Sequence, residues 1–475
     1  MQPARISDFL LSQFPYEPTT GQRMLIGRLA DFLSSEKDDS LFMLKGYAGT
    51  GKTTIVSALV KILPLLGRRS VLLAPTGRAA KVLAGYSSHQ AFTIHRKIYF
   101  ARTTSDGNLA LTLQENHHRH TYFIVDEASM IQNIETTGEA NLFAYRNLLD
   151  DLFFYVGNGE NCRLILVGDI AQLPPVGQPV SQALDTEFLE QKYQKKVELY
   201  ELTEVVRQSR DSGILANATH LRKKIASNSP VTPLFLPGDF SDIKRVNAVE
   251  MEELIQDAYA NDGQADTVVI TRTNKRANIY NQEIRRRILY LDSELTAGEL
   301  LMVVRNNYFW LPQDSESGFI ANGDIIEVLR IKNIHEMYAH RFADVVVRMI
   351  DYPDQKEFET KLLLDTLYVE TASLSYQEGA KIFQAIMEDY SDVPHRKKRL
   401  EKIRNDPYYN ALQVKYAYAL TCHKTQGGQW KTVFVDQGYL RDEMMDVEYL
   451  KWLYTAVTRA TETVYLVGFE GRFFG

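Results

Sequence analysis

The sequence predicts an α/β protein of two sheet-and-helix domains, with a short hairpin inserted in the first and a β-rich unit in the second. Three observations carry that prediction. Short apolar strands alternate with helical segments through the first half, and each strand ends in small or polar residues. Parallel strands buried beneath helices have this pattern. The alternation starts again near Thr267, gives way to β-rich stretches from roughly 297 to 412, and resumes at Val414.

Taken in order, Thr19 or Thr20 caps a helix from about Gln22 to Ser34, with Leu25, Leu29, Phe32 and Leu33 on one face. Strands are expected at Leu41–Leu44, Val71–Ala74, Tyr122–Val125 and Leu164–Val167. Ligands of such sheets bind beyond the carboxyl ends of the strands. The run from Ile98 to Leu113 alternates partially around Asp106-Gly107, a step that favours a tight hairpin turn. A second unit opens with the strand Thr267–Ile270 and the basic helix Asn274–Arg287. Asp324–Ile331 and Phe342–Ile350 read as β, and Tyr376–Tyr390 as helix. The expected domains are therefore 1–205, with the hairpin near 97–121; 206–296 together with 413–475; and the insert 297–412.

Composition bounds the function. The chain has 475 residues, more than one small core accommodates, with 45% hydrophobic and 24% charged residues. No apolar run approaches the ~18 residues of a membrane span. The amino end, MQPARISDFLLSQFPYEP, lacks the pattern of a secretory signal. Cys162 and Cys422 are the only cysteines, which fits a reducing cytoplasm and excludes a disulfide framework. A net charge of -6 argues against a protein that simply coats nucleic acid, although a motor needs only a basic groove. Basic clusters occur at Arg222-Lys223-Lys224, Arg272 to Arg276, Arg285-Arg286-Arg287 and His395 to Arg399; each alone reads as a solvated helix face. His117, His118 and His120 have no accompanying ligands and read as a solvated loop.

Gly46-Tyr47-Ala48-Gly49-Thr50-Gly51-Lys52-Thr53 matches the P-loop pattern in full, after a strand and before a helix. Glycines let backbone N–H groups turn toward phosphates, and the helix amino end adds partial positive charge. Lys52 is suited to the β- and γ-phosphates and the Thr53 hydroxyl to Mg²⁺, with Thr54 completing the nucleotide-binding segment. The strand Phe123-Ile124-Val125 ends in Asp126, suited to the Mg²⁺ shell, and Glu127, suited to orienting and activating water. Gln22 lies upstream as a candidate reader of an adenine edge. The chemistry points to ATP with Mg²⁺.

Nine segments then occur in a fixed order. They are Pro18–Gln22, the P-loop, Ala74–Ala80, Ala91–Arg96, Asp126–Met130, Gly168–Val176, Leu202–Gln208, Tyr418–Gly427 and Tyr454–Ala460. This series resembles the superfamily 1 helicases, most closely the RecD/Dda-like group that includes the Pif-type enzymes. The resemblance implies two RecA-like P-loop motor domains, with a hairpin pin in the first and a small β-barrel in the second. It implies that Gln172 senses the γ-phosphate and that Arg207 and Arg459 reach it across the interdomain cleft. An arginine so supplied is worth roughly 10³–10⁵ in rate where measured. It also implies strand contacts at Pro75, Thr76, Thr93, His95, Thr421, His423 and Lys424, whose phosphate contacts position without reading sequence. Tyr99 and Phe100 are candidates for an aromatic platform beside the pin. One departure stands out: Gly428-Gln429-Trp430 follows Gly427, where many relatives carry an acid.

The expected activity is an ATP-dependent DNA helicase moving 5′ to 3′, the direction resting on the resemblance alone. Its expected partners are single-stranded and tailed duplex DNA, with replication or repair proteins beside them and no membrane. Two alternatives stay open: an RNA-directed enzyme of the same superfamily, and an ATP-gated binding subunit of a recombination or repair complex.

Overall fold

A computed structural model describes residues 2–35, 39–103, 109–133, 147–206, 212–227, 232–236, 238, 240–247, 249–312, 315 and 319–474. The first domain contains β1 (Ser40–Gly46), β2 (Arg69–Ala74), β3 (Ala91–Thr93), β4 (Tyr99–Thr103), β5 (Leu109–Leu113), β6 (Thr121–Val125), β7 (Arg163–Gly168) and β8 (Lys196–Leu202). Six of these strands form a parallel sheet in the order β3-β2-β6-β7-β1-β8. Residue alternation divides the apolar load between its two faces. Phe42 and Leu44 of β1 join a core with Leu25, Phe32 and Ile55, while Leu41 and Met43 join one with Phe123 and Leu149. β4 and β5 stand apart as an antiparallel pair from Tyr99↔Leu113 to Thr103↔Leu109. The Asp106-Gly107 turn lies outside the described residues.

The second domain begins with β9 (Ile243–Val246) and β10 (Thr267–Thr271). The chain then leaves it for β11 (Leu300–Val303), β12 (Ile325–Met337), β13 (His340–Met349), β14 (Phe358–Leu363) and β15 (Leu412–Tyr416), which close into a barrel. It returns as β16 (Ala419–Thr421), β17 (Trp430–Asp436) and β18 (Ala460–Val467), giving a parallel sheet ordered β16-β10-β17-β18-β9. The expected architecture is thus the one found: two RecA-like domains, a hairpin in the first and a small barrel in the second.

Barrel and second sheet share one continuous core, which includes Val303, Ile326 and Val347 from the barrel and Val269 and Phe434 from the sheet. Ala171 and Leu173 of the first domain also join it. The two lobes therefore meet through packed side chains as well as polar contacts. Helices Tyr376–Asp389 and Arg396–Arg404 form a satellite cluster, where Ile382, Ile386 and Ile403 pack on Phe342 and Leu363. Among the described residues no helix is long and apolar enough to cross a membrane.

Candidate nucleotide cleft and strand groove

β1 delivers Gly46 to the carboxyl edge of the first sheet, and the helix Lys52–Ile62 departs from Gly51. Gly51 (φ +88) and Gly49 (φ +73) take left-handed conformations that side chains disfavour. Gly51 also caps its helix without a side-chain hydrogen bond. The first N–H groups are thus left for an anion, which the helix dipole favours. Lys52 Nζ donates to the carbonyls of Gly46 (2.7 Å) and Tyr47 (3.0 Å), closing the loop on itself. Thr53 is exposed on the first turn, while the Thr54 hydroxyl pairs with Tyr16 Oη at 2.9 Å.

Gln22 corrects one expectation. It is fully buried; its Oε1 accepts from Thr19 N (3.0 Å) and its Nε2 donates to the Thr50 carbonyl (3.0 Å). Its amide braces the helix cap against the P-loop and is not presented to an adenine edge. A Cβ on Gly51 would lie only 2.4 Å from Gln22 Nε2, so that brace also demands the glycine.

Asp126 directly follows β6, and its Oδ1 accepts from Glu127 N at 2.9 Å while its Oδ2 accepts the Tyr86 hydroxyl. Burial raises the Asp126 pKa and the Glu127 charge adds to this; the Tyr86 and backbone hydrogen bonds and Lys52 pull it back. Glu127 itself stands at φ +51, a conformation that costs a non-glycine residue about 1–3 kcal/mol and clusters at functional sites. A helix amino end without a side-chain cap, an exposed threonine on its first turn and two adjacent carboxylates fit a magnesium-bound nucleotide.

Asp169, 1% exposed, directly follows β7 and is a functional candidate that the motifs alone do not single out. Its Oδ2 accepts from Tyr454 Oη (2.6 Å), which in turn accepts from Ala48 N (2.8 Å) in the P-loop. Tyr454 comes from the helix Val447–Val457 of the second domain. Its neighbour Thr455 accepts from Leu173 N (2.9 Å), and Gln426 Nε2 donates to the Leu173 carbonyl (2.6 Å). Gln172 is 5% exposed, and its Oε1 has no partner among the described residues. A buried acceptor left so is costly, and it is ready for a water or a phosphate-bound proton.

The two arginines expected at the phosphate fare differently. Arg207 lies outside the described residues. Arg459 is 4% exposed and stays within the second domain, donating to Thr455 O (3.1 Å), Gly428 O (3.3 Å) and Thr458 Oγ1 (3.4 Å). Arg222, expected on a solvated helix face, instead faces the P-loop with its guanidinium 4.6 Å from the Tyr47 ring centroid. It lines a cleft of about 910 Å³ with Tyr16, Thr19, Glu204, Leu215 and Thr219. Nucleotide-sized ligands occupy clefts of this order.

The strand candidates gather at the carboxyl ends of β2 and β3 in the first sheet and of the edge strand β16 in the second. Pro75 and Thr76 follow β2, Thr93 ends β3 and Thr421 ends β16. Thr76 Oγ1 accepts from Ala79 N (3.2 Å) and Thr93 Oγ1 from Arg96 N (3.1 Å), so both hydroxyls cap helices whose amino ends favour phosphate. A Cβ on Gly427 (φ +74) would lie 3.1 Å from Thr76 Oγ1, which brings the two sheets together there. The His95 ring lies 5.7 Å from the Tyr99 ring and 6.5 Å from the Phe319 ring, and burial lowers its pKa to about 4. Burial also lowers the His423 pKa, against the pull of Glu448. The Lys424 ammonium, brought down to about 8 by burial, donates to Asn322 Oδ1 of the barrel at 2.5 Å.

Tyr99 is the other correction. It is 6% exposed and its hydroxyl donates to Asp151 Oδ2 at 2.7 Å, so it belongs to the core and is no base platform. Alternation along β4 turns the next residue outward, and Phe100 is 40% exposed.

Comparison with known proteins agrees with this layout. Residues 20–229 match the AAA domain family, and residues 416–467 match the UvrD-like helicase C-terminal domain. The chain is 24% identical over 460 residues to the ATP-dependent DNA helicase dda of Enterobacteria phage T4, covering 89% of this chain and 93% of that protein. It is 32% identical over 186 residues to the ATP-dependent RecD2 DNA helicase of Deinococcus radiodurans, covering 38% of this chain and 23% of that one. The crystal structure of Pif1 helicase from Bacteroides in complex with ADP-AlF3 and ssDNA superposes with a TM-score of 0.46 at 14% identity, over 94% of this chain and 93% of that chain. The two family matches fall on the two lobes and all nine motifs lie within them or beside them, so the chain is similar in both lobes to the superfamily 1 helicases of the RecD/Dda-like group.

Proposed function

We propose that this protein is an ATP-driven DNA helicase that moves 5′ to 3′ on single-stranded DNA and opens tailed duplexes, acting in the cytoplasm beside replication or repair proteins. One observation supports the reading above others. The same two lobes that meet at the P-loop through Tyr454, Ala48 and Asp169 meet again at the strand edge through Gly427 and Thr76. Any change in how the lobes sit is therefore felt at both places.

In this reading Lys52 leaves the Gly46 and Tyr47 carbonyls for the nucleotide phosphates, beside the N–H groups that Gly51 leaves free. Thr53 and Asp126 would hold Mg²⁺. Bound there, Mg²⁺ neutralises charge that develops on the transferring phosphoryl group. Glu127 takes the proton of the attacking water, Gln172 Oε1 accepts a hydrogen bond from that water, and the Gln172 amide N–H is the group that donates to the γ-phosphate. Arg459, and Arg207 with it, turns toward the phosphate as the lobes close, exchanging carbonyl partners for a more strongly bound anion. Thr76, Thr93, Thr421 and Lys424 grip the DNA backbone, with His95 and His423 as neutral donors and Phe100 beside the duplex end.

The test is a gel assay on duplexes carrying 5′ or 3′ tails, with ATP and Mg²⁺, run beside Lys52→Ala. Unwinding of the 5′-tailed duplex alone, with phosphate release that needs the strand and falls at least about 10³-fold in Lys52→Ala, is the expected result. Unwinding from the 3′ tail reverses the direction. Brisk strand-dependent phosphate release without unwinding favours the ATP-gated subunit. Equal stimulation by DNA and RNA strands removes the DNA preference.

A further inference from the structure

The departure at Gly428-Gln429-Trp430 has a physical counterpart. Arg78 stands on the first turn of the helix Gly77–Ser87, directly beyond Thr76. Its guanidinium carbon lies 3.9 Å from the Trp430 ring centroid, and its Nη2 donates to the carbonyls of Gln429 (3.3 Å) and Ala265 (3.5 Å), all in the second domain. Trp430 is 4% exposed and opens β17. A planar cation over a buried indole is the favourable geometry for such a pair, and lysine does not reproduce it.

The contact continues toward the nucleotide. Trp430 N donates to the backbone carbonyl of Arg459 at 3.0 Å, and Arg459 Nη1 donates to the carbonyl of Gly428 at 3.3 Å. Gly428 is wedged between both partners: a Cβ there would lie 2.5 Å from Trp430 Cη2 and 3.0 Å from Arg78 Cδ. The backbone that holds Arg459 is therefore held by Trp430, which is held by the helix that Thr76 caps.

We propose that Arg78 and Trp430 are positioning residues for Arg459, linking strand contact at Thr76 to placement of the arginine at the phosphate. The proposal rests on the motor reading above and adds to it. Where relatives have an acid, an aromatic stack here makes the interdomain link. A DNA phosphate at Thr76 pulls on the first turn that carries Arg78, and the pull reaches Arg459 through its backbone bond from Trp430 N and its side-chain bond to the Gly428 carbonyl.

The test measures kcat and KM for ATP with and without saturating oligothymidylate, alongside anisotropy of a labelled oligothymidylate. The chains are wild type, Arg78→Ala, Arg78→Lys, Trp430→Ala, Trp430→Phe and the double alanine variant. Each single alanine variant should lose about tenfold in strand-stimulated kcat. Its KM, unstimulated rate and strand affinity should stay within about twofold. Trp430→Phe should recover most of the loss, Arg78→Lys little of it, and the double variant should be no worse than either single one. Additive losses, equal loss of stimulated and unstimulated rates, or a phenylalanine variant as impaired as the alanine one overturns the proposal. Should Trp430→Ala fail to fold, Arg78→Ala, a half-buried site, decides on the same readouts. Absence of strand-dependent turnover in the wild type would overturn the motor reading and this link with it; failure confined to the variants overturns the link alone.

Discussion

The Tyr454 hydroxyl touches both sides of the cleft at once, donating to Asp169 Oδ2 at 2.6 Å and accepting from Ala48 N at 2.8 Å. The other Asp169 oxygen, Oδ1, accepts from Ala171 N (2.9 Å), so both oxygens receive a donor. Burial raises the Asp169 pKa, and Lys52, Tyr454 and the Ala171 amide bring it back. Tyr454→Phe keeps the ring in its packed site and removes only the oxygen. One buried amide and one carboxylate oxygen then lose a partner, at a cost of about 1–3 kcal/mol each. With one restraining donor gone, Asp169 protonates more readily, so the acidic limb of the kcat/KM profile should move to higher pH. A limb that stays where the wild type has it would refute the assignment. Both residues stand inside motifs legible in the sequence, yet their pairing was not, because 285 positions separate them. Gln22 shows the same limit on a shorter span. Its cap with Thr19 follows from spacing, whereas its bond to Thr50 depends on how the P-loop folds back.

Elements were legible in proportion to how continuously they are buried. The central strands β1, β6 and β7 are buried almost throughout and have apolar middles that stand out, whereas β3 has three residues and β8 alternates toward solvent at the sheet edge. The hairpin was visible through its turn and partial alternation, but alternation does not say which face is inward. Tyr99 faces in and Phe100 out because the pair lies against the first domain, with Tyr99 tied to Asp151. Opening a base step costs roughly 1.4 kcal/mol of stacking, and an aromatic platform returns roughly 1–3 kcal/mol per base. Phe100→Ala should therefore slow unwinding several-fold at unchanged strand-stimulated ATPase, and replacing residues 103–109 by a shorter turn should do so more severely. If both activities fall together in either variant, the hairpin is a structural element and no pin. Tyr99→Phe, by contrast, should lower the melting temperature through its lost buried hydrogen bond and leave the ratio of the two activities alone.

At the scale of the molecule, the helix Gly77–Ser87 is where three bodies meet, since its first turn touches the second domain through Arg78 and the barrel through Gly77 and Lys81. A Cβ on Gly77 would lie 2.4 Å from Asp324 Oδ1 and 2.6 Å from Tyr352 Oη, and Lys81 Nζ donates to the Ile350 carbonyl at 3.0 Å. The barrel insert looked chemically silent in sequence because its message lies in contacts with a helix from another domain. Asp324 is 1% exposed there, its Oδ1 has no partner among the described residues, and burial with the nearby Asp351 raises its pKa from 3.8 to about 8. The folded protein thus keeps a proton that the unfolded chain releases anywhere between those two values. Stability from this group is complete below the unfolded pKa and is lost as pH rises through the folded one. Asp324→Asn stays neutral throughout and should flatten that decline, with a gain in melting temperature of about 2–4 °C near pH 9 and none near pH 4. Thermal unfolding across that range checks it: parallel curves for variant and wild type would mean that Asp324 is already ionised where the barrel meets the first domain.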